Sequence, residues 1–217
     1  MKKKCAILDM DGCLVDTERW YIKAWGMAFK IKGIPIEEER IHSWTGKSAV
    51  YIDSQVREYT NNVEIAKELR HLRENVFWEF LDDGKVSLMP YAREILDFLK
   101  SKNLIVGLAS STNIEKGTRI LKYFDVYDRF DFRVFGNMIK NPKPAPDIYE
   151  MAISLSKVAK EECIAFEDSA SGILACNACK VDVIYVPGIG ERVKSDAKIF
   201  KEVLSFKEAI SFLASFL

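Results

Sequence analysis

Two aspartates, Asp9 and Asp11, stand directly behind the short apolar run Cys5-Ala6-Ile7-Leu8. Residues i and i+2 of a strand point to the same side, so both carboxylates enter one space beyond the strand's carboxyl end, where open parallel sheets bind ligands. One such acid can attack while the other moves a proton. Gly12 permits the sharp turn that follows, because it tolerates positive φ. Taken alone, the D-x-D-G pattern reads equally as an Asx-rich turn capping a strand. The further ligands and closing Glu of an EF-hand are missing, which counts against a calcium loop.

Three later segments offer different chemical groups. The apolar run 104–109 ends in Ser110-Ser111-Thr112-Asn113, Lys143 lies in the loop Asn141-Pro142-Lys143-Pro144-Ala145-Pro146-Asp147, and the run 163–166 ends in Glu167-Asp168-Ser169. Together these suit a phosphate monoester. The Ser110 hydroxyl and the N–H groups of a helix start can hold phosphate oxygens. Lys143 supplies a cation, fixed by the proline frame around it. Asp9, Glu167 and Asp168 beside a phosphate dianion would repel it, each like-charge pair at 4 Å costing about 4 kcal/mol at an effective dielectric near 20. One lysine does not offset that. A hard divalent cation does, and the acid count therefore points to Mg²⁺.

Other chemistries find no support. The two histidines, His42 and His71, fall far from these segments, which excludes a Ser-His-Asp centre there. Neither G-x-S-x-G nor G-x-x-x-x-G-K-[ST] occurs. Gly188-Ile189-Gly190 lacks the third glycine of a dinucleotide fingerprint and reads as a turn. Carboxylate nucleophilic catalysis remains.

The elements that must position these groups follow from periodicity. A first strand spans 4–9, and from 17 to about 83 the pattern is helical with no convincing strand. In its first helix Trp20, Ala24, Met27, Ala28 and Ile31 form an apolar stripe, ended by Gly33-Ile34-Pro35. Helices at 50–59 and 64–81 follow, the latter carrying Leu69, Leu72, Val76 and Phe80, and Asp82-Asp83-Gly84 breaks the pattern. After Pro90, helices (92–100, 114–122, 147–155 and 171–179) alternate with strands (104–109, 132–135, 163–166 and 182–186). That alternation predicts an α/β fold, a Rossmann-like parallel sheet covered by helices on both faces. Residues 1–15 and 86–217 form its core, and 16–85 a small all-α insert.

All four tryptophans lie in the insert, as expected of a subdomain building its own core. Trp44, in the polar loop 43–48, is equally placed to face a ligand. The net charge is zero, with 32 basic and 32 acidic residues, so no general attraction to nucleic acid or anionic membrane exists. No apolar stretch approaches a membrane span. Lys2-Lys3-Lys4 imitates the start of a signal peptide, but Asp9, Asp11 and Asp16 interrupt any hydrophobic region, and a cytoplasmic monomer is expected. Five cysteines make no disulfide framework, and Cys176-Asn177-Ala178-Cys179, within a helix and without a second pair, reads as packed thiols.

Four segments, in order, resemble the four motifs of the haloacid dehalogenase-like superfamily: Ile7-Leu8-Asp9-Met10-Asp11-Gly12, Leu108-Ala109-Ser110-Ser111, Lys143-Pro144-Ala145-Pro146-Asp147 and Phe166-Glu167-Asp168-Ser169-Ala170-Ser171-Gly172. Each is weak alone; four in order are specific. The likeness is to the helical-cap phosphatase and β-phosphoglucomutase branch. It implies Asp9 as nucleophile through an aspartyl-phosphate, Asp11 as general acid and then base, and Ser110, Ser111 and Lys143 as phosphoryl contacts. It further implies Mg²⁺ held by Asp9, the Asp11 main-chain carbonyl and Asp168, with Glu167 nearby.

The insert is expected to act as a lid over the end of the first strand, hinged near 14–17 and 83–89, with Thr17, Lys47 and Arg73 as the candidates for leaving-group contacts. For Lys47 and Arg73 an exposed, solvated charge is the competing reading. Asp two residues after the nucleophile sets aside dehalogenases and phosphonatases. The mutases resembled here carry a cap histidine where this chain has Tyr21 and an arginine near Ala49, which favours hydrolysis of a small phosphorylated metabolite, a sugar phosphate, over mutation. A mutase, and a non-catalytic binding module on the same scaffold, are the alternatives. The family's glycine after the fourth motif's helix is Lys180 here; a left-handed Lys costs around 1 kcal/mol, so another loop path is expected.

Overall fold

The computed structural model describes residues 2–188 and 197–216, with the side chain of Phe216 excepted; Ile189 and Gly190 of the glycine-rich turn lie outside the described residues. The chain divides into two compact units, 1–15 with 88–217, and 16–87.

In the first unit the strands are β1 (Cys5–Leu8), β2 (Ile105–Ser110), β3 (Phe132–Phe135), β4 (Cys163–Glu167), β5 (Asp182–Tyr185) and β6 (Lys201–Glu202). They form one parallel sheet in the order β3-β2-β1-β4-β5-β6. β1 is central and wholly buried, as its unbroken apolar sequence requires of a strand covered on both faces. Leu8 pairs with Leu108 on one side and Phe166 on the other. The chain runs from β1 to β2 and β3 on one side and then crosses to β4 on the other, making a topological switch point at the carboxyl end of β1. The register therefore brings the residues after β1, β2 and β4 side by side.

The second unit is helical: α1 (Glu18–Ile31), α2 (Glu38–His42), α3 (Ala49–Thr60) and α4 (Val63–Asp82). α1 buries Ala24, Trp25, Ala28 and Phe29, whereas Met27 and Ile31 are exposed. Ala24 and Ala28 of the expected stripe are buried, but the face runs on through Trp25 and Phe29 and not through Met27 and Ile31, because it is set by aromatic partners that α1's own periodicity does not show. Trp44 belongs to this core and not to a ligand surface: it is 2% exposed and meets Trp25 edge-on at 5.6 Å between ring centroids. Arg73 is likewise buried, not solvated. Its guanidinium lies 4.6 Å from the Tyr21 ring centroid and 5.4 Å from that of Trp25, and it pairs with Glu74. Stacking on aromatic faces is a use that suits Arg's planar, weakly hydrated cation.

The remaining helices belong to the first unit: α5 (Ala92–Ser101), α6 (Ile114–Tyr123), α7 (Asp147–Ser156), α8 (Ala170–Cys179) and α9 (Phe206–Phe216). Element ends differ from the sequence expectation by a residue or so, as fraying ends do. Lys180 does adopt the left-handed conformation (φ 60°) rather than another path. Its N–H bonds the Asn177 carbonyl and that of Val181 the Cys176 carbonyl, and the buried Val181 anchors the exit, offsetting the local cost. All five cysteines are free and buried. No helix among the described residues is long and apolar enough to cross a membrane.

Candidate active site

The ladder of β1 continues one residue past the strand. The Asp9 N–H donates to the Phe166 carbonyl at 3.0 Å, which places the 6%-exposed Asp9 beside the end of β4. Gly12 (φ 81°) and the bonds of Leu14 N–H and Val15 N–H to the Met10 carbonyl then close the turn that presents Asp11.

Lys143 reaches this point from the loop before α7. Asp147 shapes that loop, its Oδ1 accepting from both the N–H and the Nδ2 of Asn141 at 3.0 Å. Lys143 Nζ donates to Asp9 Oδ1 at 2.5 Å, to Glu167 Oε1 at 2.6 Å and to the Ala109 carbonyl at 3.0 Å, so all three ammonium donors have acceptors. Glu167 is fully buried and held from two further sides. Tyr149 Oη donates to its Oε1 at 2.5 Å, and Ser169 Oγ to its Oε2 at 3.2 Å. Ser169 also caps α8, accepting from the Gly172 N–H. Gly172 packs close behind Glu167: a Cβ there would lie 1.9 Å from the Glu167 carboxylate carbon and force that side chain to move.

Burial pushes the Asp9 carboxyl well above its usual range; Lys143 opposes that rise, while the negative charges of Glu167 and Asp11 add to it. Burial would lower the Lys143 ammonium, yet Asp9 and Glu167 together raise it, so it stays charged. Asp9, Glu167 and Asp168 offer carboxylate oxygens within 4.8 Å of one another. A cluster of hard oxygen donors with one neutralising lysine fits a hard divalent cation such as Mg²⁺.

Asp11 is oriented toward the end of β2. Its Oδ2 accepts from Thr112 Oγ1 at 2.8 Å and from Ser110 Oγ at 3.2 Å, and Ser110 Oγ accepts in turn from the Thr112 N–H at 3.1 Å. Ser111 is exposed just beyond, and Asn113 caps α6 by accepting from the Lys116 N–H at 2.8 Å.

Asp9, Asp11, Ser110, Lys143, Glu167 and Asp168 therefore converge at the carboxyl ends of β1, β2 and β4. Thr17, Lys47 and Arg73 belong to the second unit, where Thr17 is buried at the start of α1, Lys47 is exposed before α3 and Arg73 is stacked as described. Sequence reasoning missed Thr112, Tyr149 and Ser169. The same i, i+2 rule that paired Asp9 with Asp11 would have paired Ser110 with Thr112. Ser169 carried an N-cap signal before Gly172. Tyr149 carried none, since it reads as one more apolar position of its helix.

This arrangement can hold a phosphoryl group against a buried carboxylate, with the ammonium paired to it and a second carboxylate on either side. The chain is 33% identical over 186 residues to a phosphorylated carbohydrates phosphatase of Thermotoga maritima, covering 84% of each chain. It is 28% identical over 197 residues to the β-phosphoglucomutase of Bacillus subtilis, covering 87% of this chain and 84% of the other. Its fold is similar to that of CbbY from Rhodobacter sphaeroides, solved in complex with phosphate, at 22% identity and a TM-score of 0.79, over 95% of this chain and 96% of that one. The family model for haloacid dehalogenase-like hydrolases matches residues 3–180. With that match and the converged carboxylates and lysine, the chain belongs to the haloacid dehalogenase-like hydrolases, in their branch of phosphatases and β-phosphoglucomutases.

Proposed function

We propose that this enzyme, a phosphoric monoester hydrolase, is a Mg²⁺-dependent cytoplasmic phosphatase that cleaves a small phosphorylated metabolite, a sugar phosphate, through an aspartyl-phosphate on Asp9. The observation that carries the reading is the buried Asp9 carboxylate held 2.5 Å from Lys143, with Asp11 hydrogen-bonded nearby by Ser110 and Thr112. A desolvated carboxylate loses little solvation on attack, and Lys143 favours its charged form and aims it. Asp9 Oδ forms the bond to phosphorus as the bond to the substrate oxygen breaks, and Asp11 gives that oxygen its proton. Asp11 then takes a proton from water, whose oxygen displaces Asp9 and releases inorganic phosphate. Ser110, Ser111 and Lys143 hold the phosphoryl oxygens. Asp9, Asp168 and the Asp11 carbonyl would hold Mg²⁺, with Glu167 at its edge; when bound, the ion neutralises charge on the transferring group.

Residues 16–87 serve as a lid that excludes bulk water. Thr17 and the exposed Lys47 are the contacts assigned to the leaving group. Arg73, committed to Tyr21, Trp25 and Glu74, contributes to that unit's packing more than to substrate. The known phosphatase relative supports hydrolysis, and Tyr21 at the place of a cap histidine supports it over phosphoryl transfer between sugar hydroxyls.

The test is phosphate release from a panel of sugar phosphates, nucleotides and phosphoglycolate, with Mg²⁺ and with chelator. Release from a sugar phosphate that stops with chelator, together with a beryllium fluoride adduct on Asp9, is the expected outcome. Rapid conversion of β-glucose 1-phosphate to glucose 6-phosphate with little free phosphate would establish the mutase instead.

A further inference from the structure

We propose that Tyr149 is a positioning residue for the reaction: its hydroxyl commits Glu167 to Lys143 and so sets where the ammonium meets Asp9. The proposal deepens the phosphatase reading and rests on it for its kinetic consequences. Glu167 Oε1 accepts two short hydrogen bonds, from Lys143 Nζ at 2.6 Å and Tyr149 Oη at 2.5 Å, in a place with no solvent access. Its Oε2 is held by Ser169. A buried carboxylate held by three donors is fixed in orientation, with the backbone of Gly172 packed close behind it. Tyr149 itself is fully buried and touches the lysine in a second way, its ring centroid 5.2 Å from Lys143 Nζ. The ring packs against the cation while the hydroxyl fixes the cation's partner.

Removing the hydroxyl leaves Glu167 to draw Lys143 more strongly, away from Asp9 and the phosphoryl oxygens it must meet. Tyr149→Phe keeps the ring and the packing, so it isolates this effect. The expected result is a loss of about 10-fold in kcat with little change in KM, the scale on which groups supporting a functional ligand act. Because Tyr149 acts through Glu167, adding Tyr149→Phe to Glu167→Gln should cost nothing further. Losses that multiply in the double variant, or a wild-type kcat in Tyr149→Phe, would overturn the proposal.

A readout independent of turnover separates this from the phosphatase reading. In protein labelled with ¹⁵N-lysine, the Lys143 ammonium resonance, assigned by its absence in Lys143→Met, should move in Tyr149→Phe. That of Lys3, buried and bonded to Glu161, Cys163 and Asp182, should stay. Incorporating 3-fluorotyrosine at position 149 alters the hydroxyl without altering the fold and must move the same resonance. A Lys143 signal that stays put in both proteins refutes the positioning role. A signal that moves in a protein releasing phosphate from no substrate keeps the role and refutes the phosphatase reading.

Discussion

Lys143 Nζ lies 2.5 Å from Asp9 Oδ1, with both side chains less than a tenth exposed. The pair is formed across 134 residues of chain, and with Glu167 on the other side of the ammonium it makes a buried triad of two carboxyl groups around one cation. Removing the cation leaves two uncompensated carboxylates.

Lys143→Met should therefore destabilise the protein by about 3–5 kcal/mol, the usual result of breaking a buried pair from one side. It should also abolish turnover. Adding Asp9→Asn removes one of the stranded charges, so the double variant should be more stable than Lys143→Met alone. Urea unfolding of the parent, the two single variants and the double variant measures this, and a double variant as unstable as the sum of the singles would contradict it.

Asp11→Asn should lower kcat by roughly 100- to 10,000-fold, the range for loss of general acid–base catalysis. Phosphate release followed in steady state reads the loss. Thr112→Val keeps the shape and removes one of the hydroxyls that orient Asp11, and its effect should be smaller and in the same direction. A Thr112→Val enzyme as impaired as Asp11→Asn would mean that the threonine acts directly on substrate.

Gly172→Ala places a Cβ 1.9 Å from the Glu167 carboxylate carbon. The carboxylate is held by Lys143, Tyr149 and Ser169 and can retreat only by breaking those bonds, so overpacking should cost about 1–3 kcal/mol. Activity should fall with it, because Glu167 carries Lys143. Ala at the exposed Leu174 of the same helix serves as the control, and equal unfolding midpoints for the two variants would count against the close packing.

Far from the site, Asp131 gives a pH signature. Burial pushes its carboxyl up, but the hydrogen bonds from Lys100 Nζ and the Val106 N–H, with the charges of Lys100 and Arg133, outweigh that and hold it below the usual carboxylate range. A folded value below the unfolded one contributes stability that is fully present above about pH 4 and is lost as pH falls through the folded value. Asp131→Asn should thus be less stable than the parent at pH 7, and the gap should close as the pH drops below 4. Urea midpoints at pH 7, 4 and 3 test this; a gap that widens in acid would reverse the sign. The charges are partly solvated, so the effect should be modest and weaken with salt.

The helical insert shows where periodicity stops being informative. Trp20, Met27 and Ile31 satisfy the helical spacing, yet the buried face runs through Trp25 and Phe29, where Trp44 and Leu69 also pack. Trp44 and Arg73 were misread for the same reason: a polar loop and a charged side chain suggest solvent until the aromatic rings that enclose them are known. Lys180 shows the converse, a locally unfavourable conformation kept because the burial of Val181 outweighs it.

The sequence by itself determined the alternation of strands and helices through β5, the family, and the candidacy of Asp9, Asp11, Ser110, Lys143, Glu167 and Asp168, since strand period and motif order are local properties of a chain; β6 and α9 carried no such signal. Tertiary structure decided which oxygen each donor meets: that Lys143 bridges Asp9 and Glu167, that Thr112 orients Asp11, and that Tyr149 and Ser169 fix Glu167. Those choices depend on sheet register and on the side of a helix facing the strand ends. Contacts between residues distant in sequence set both, and no local pattern encodes them.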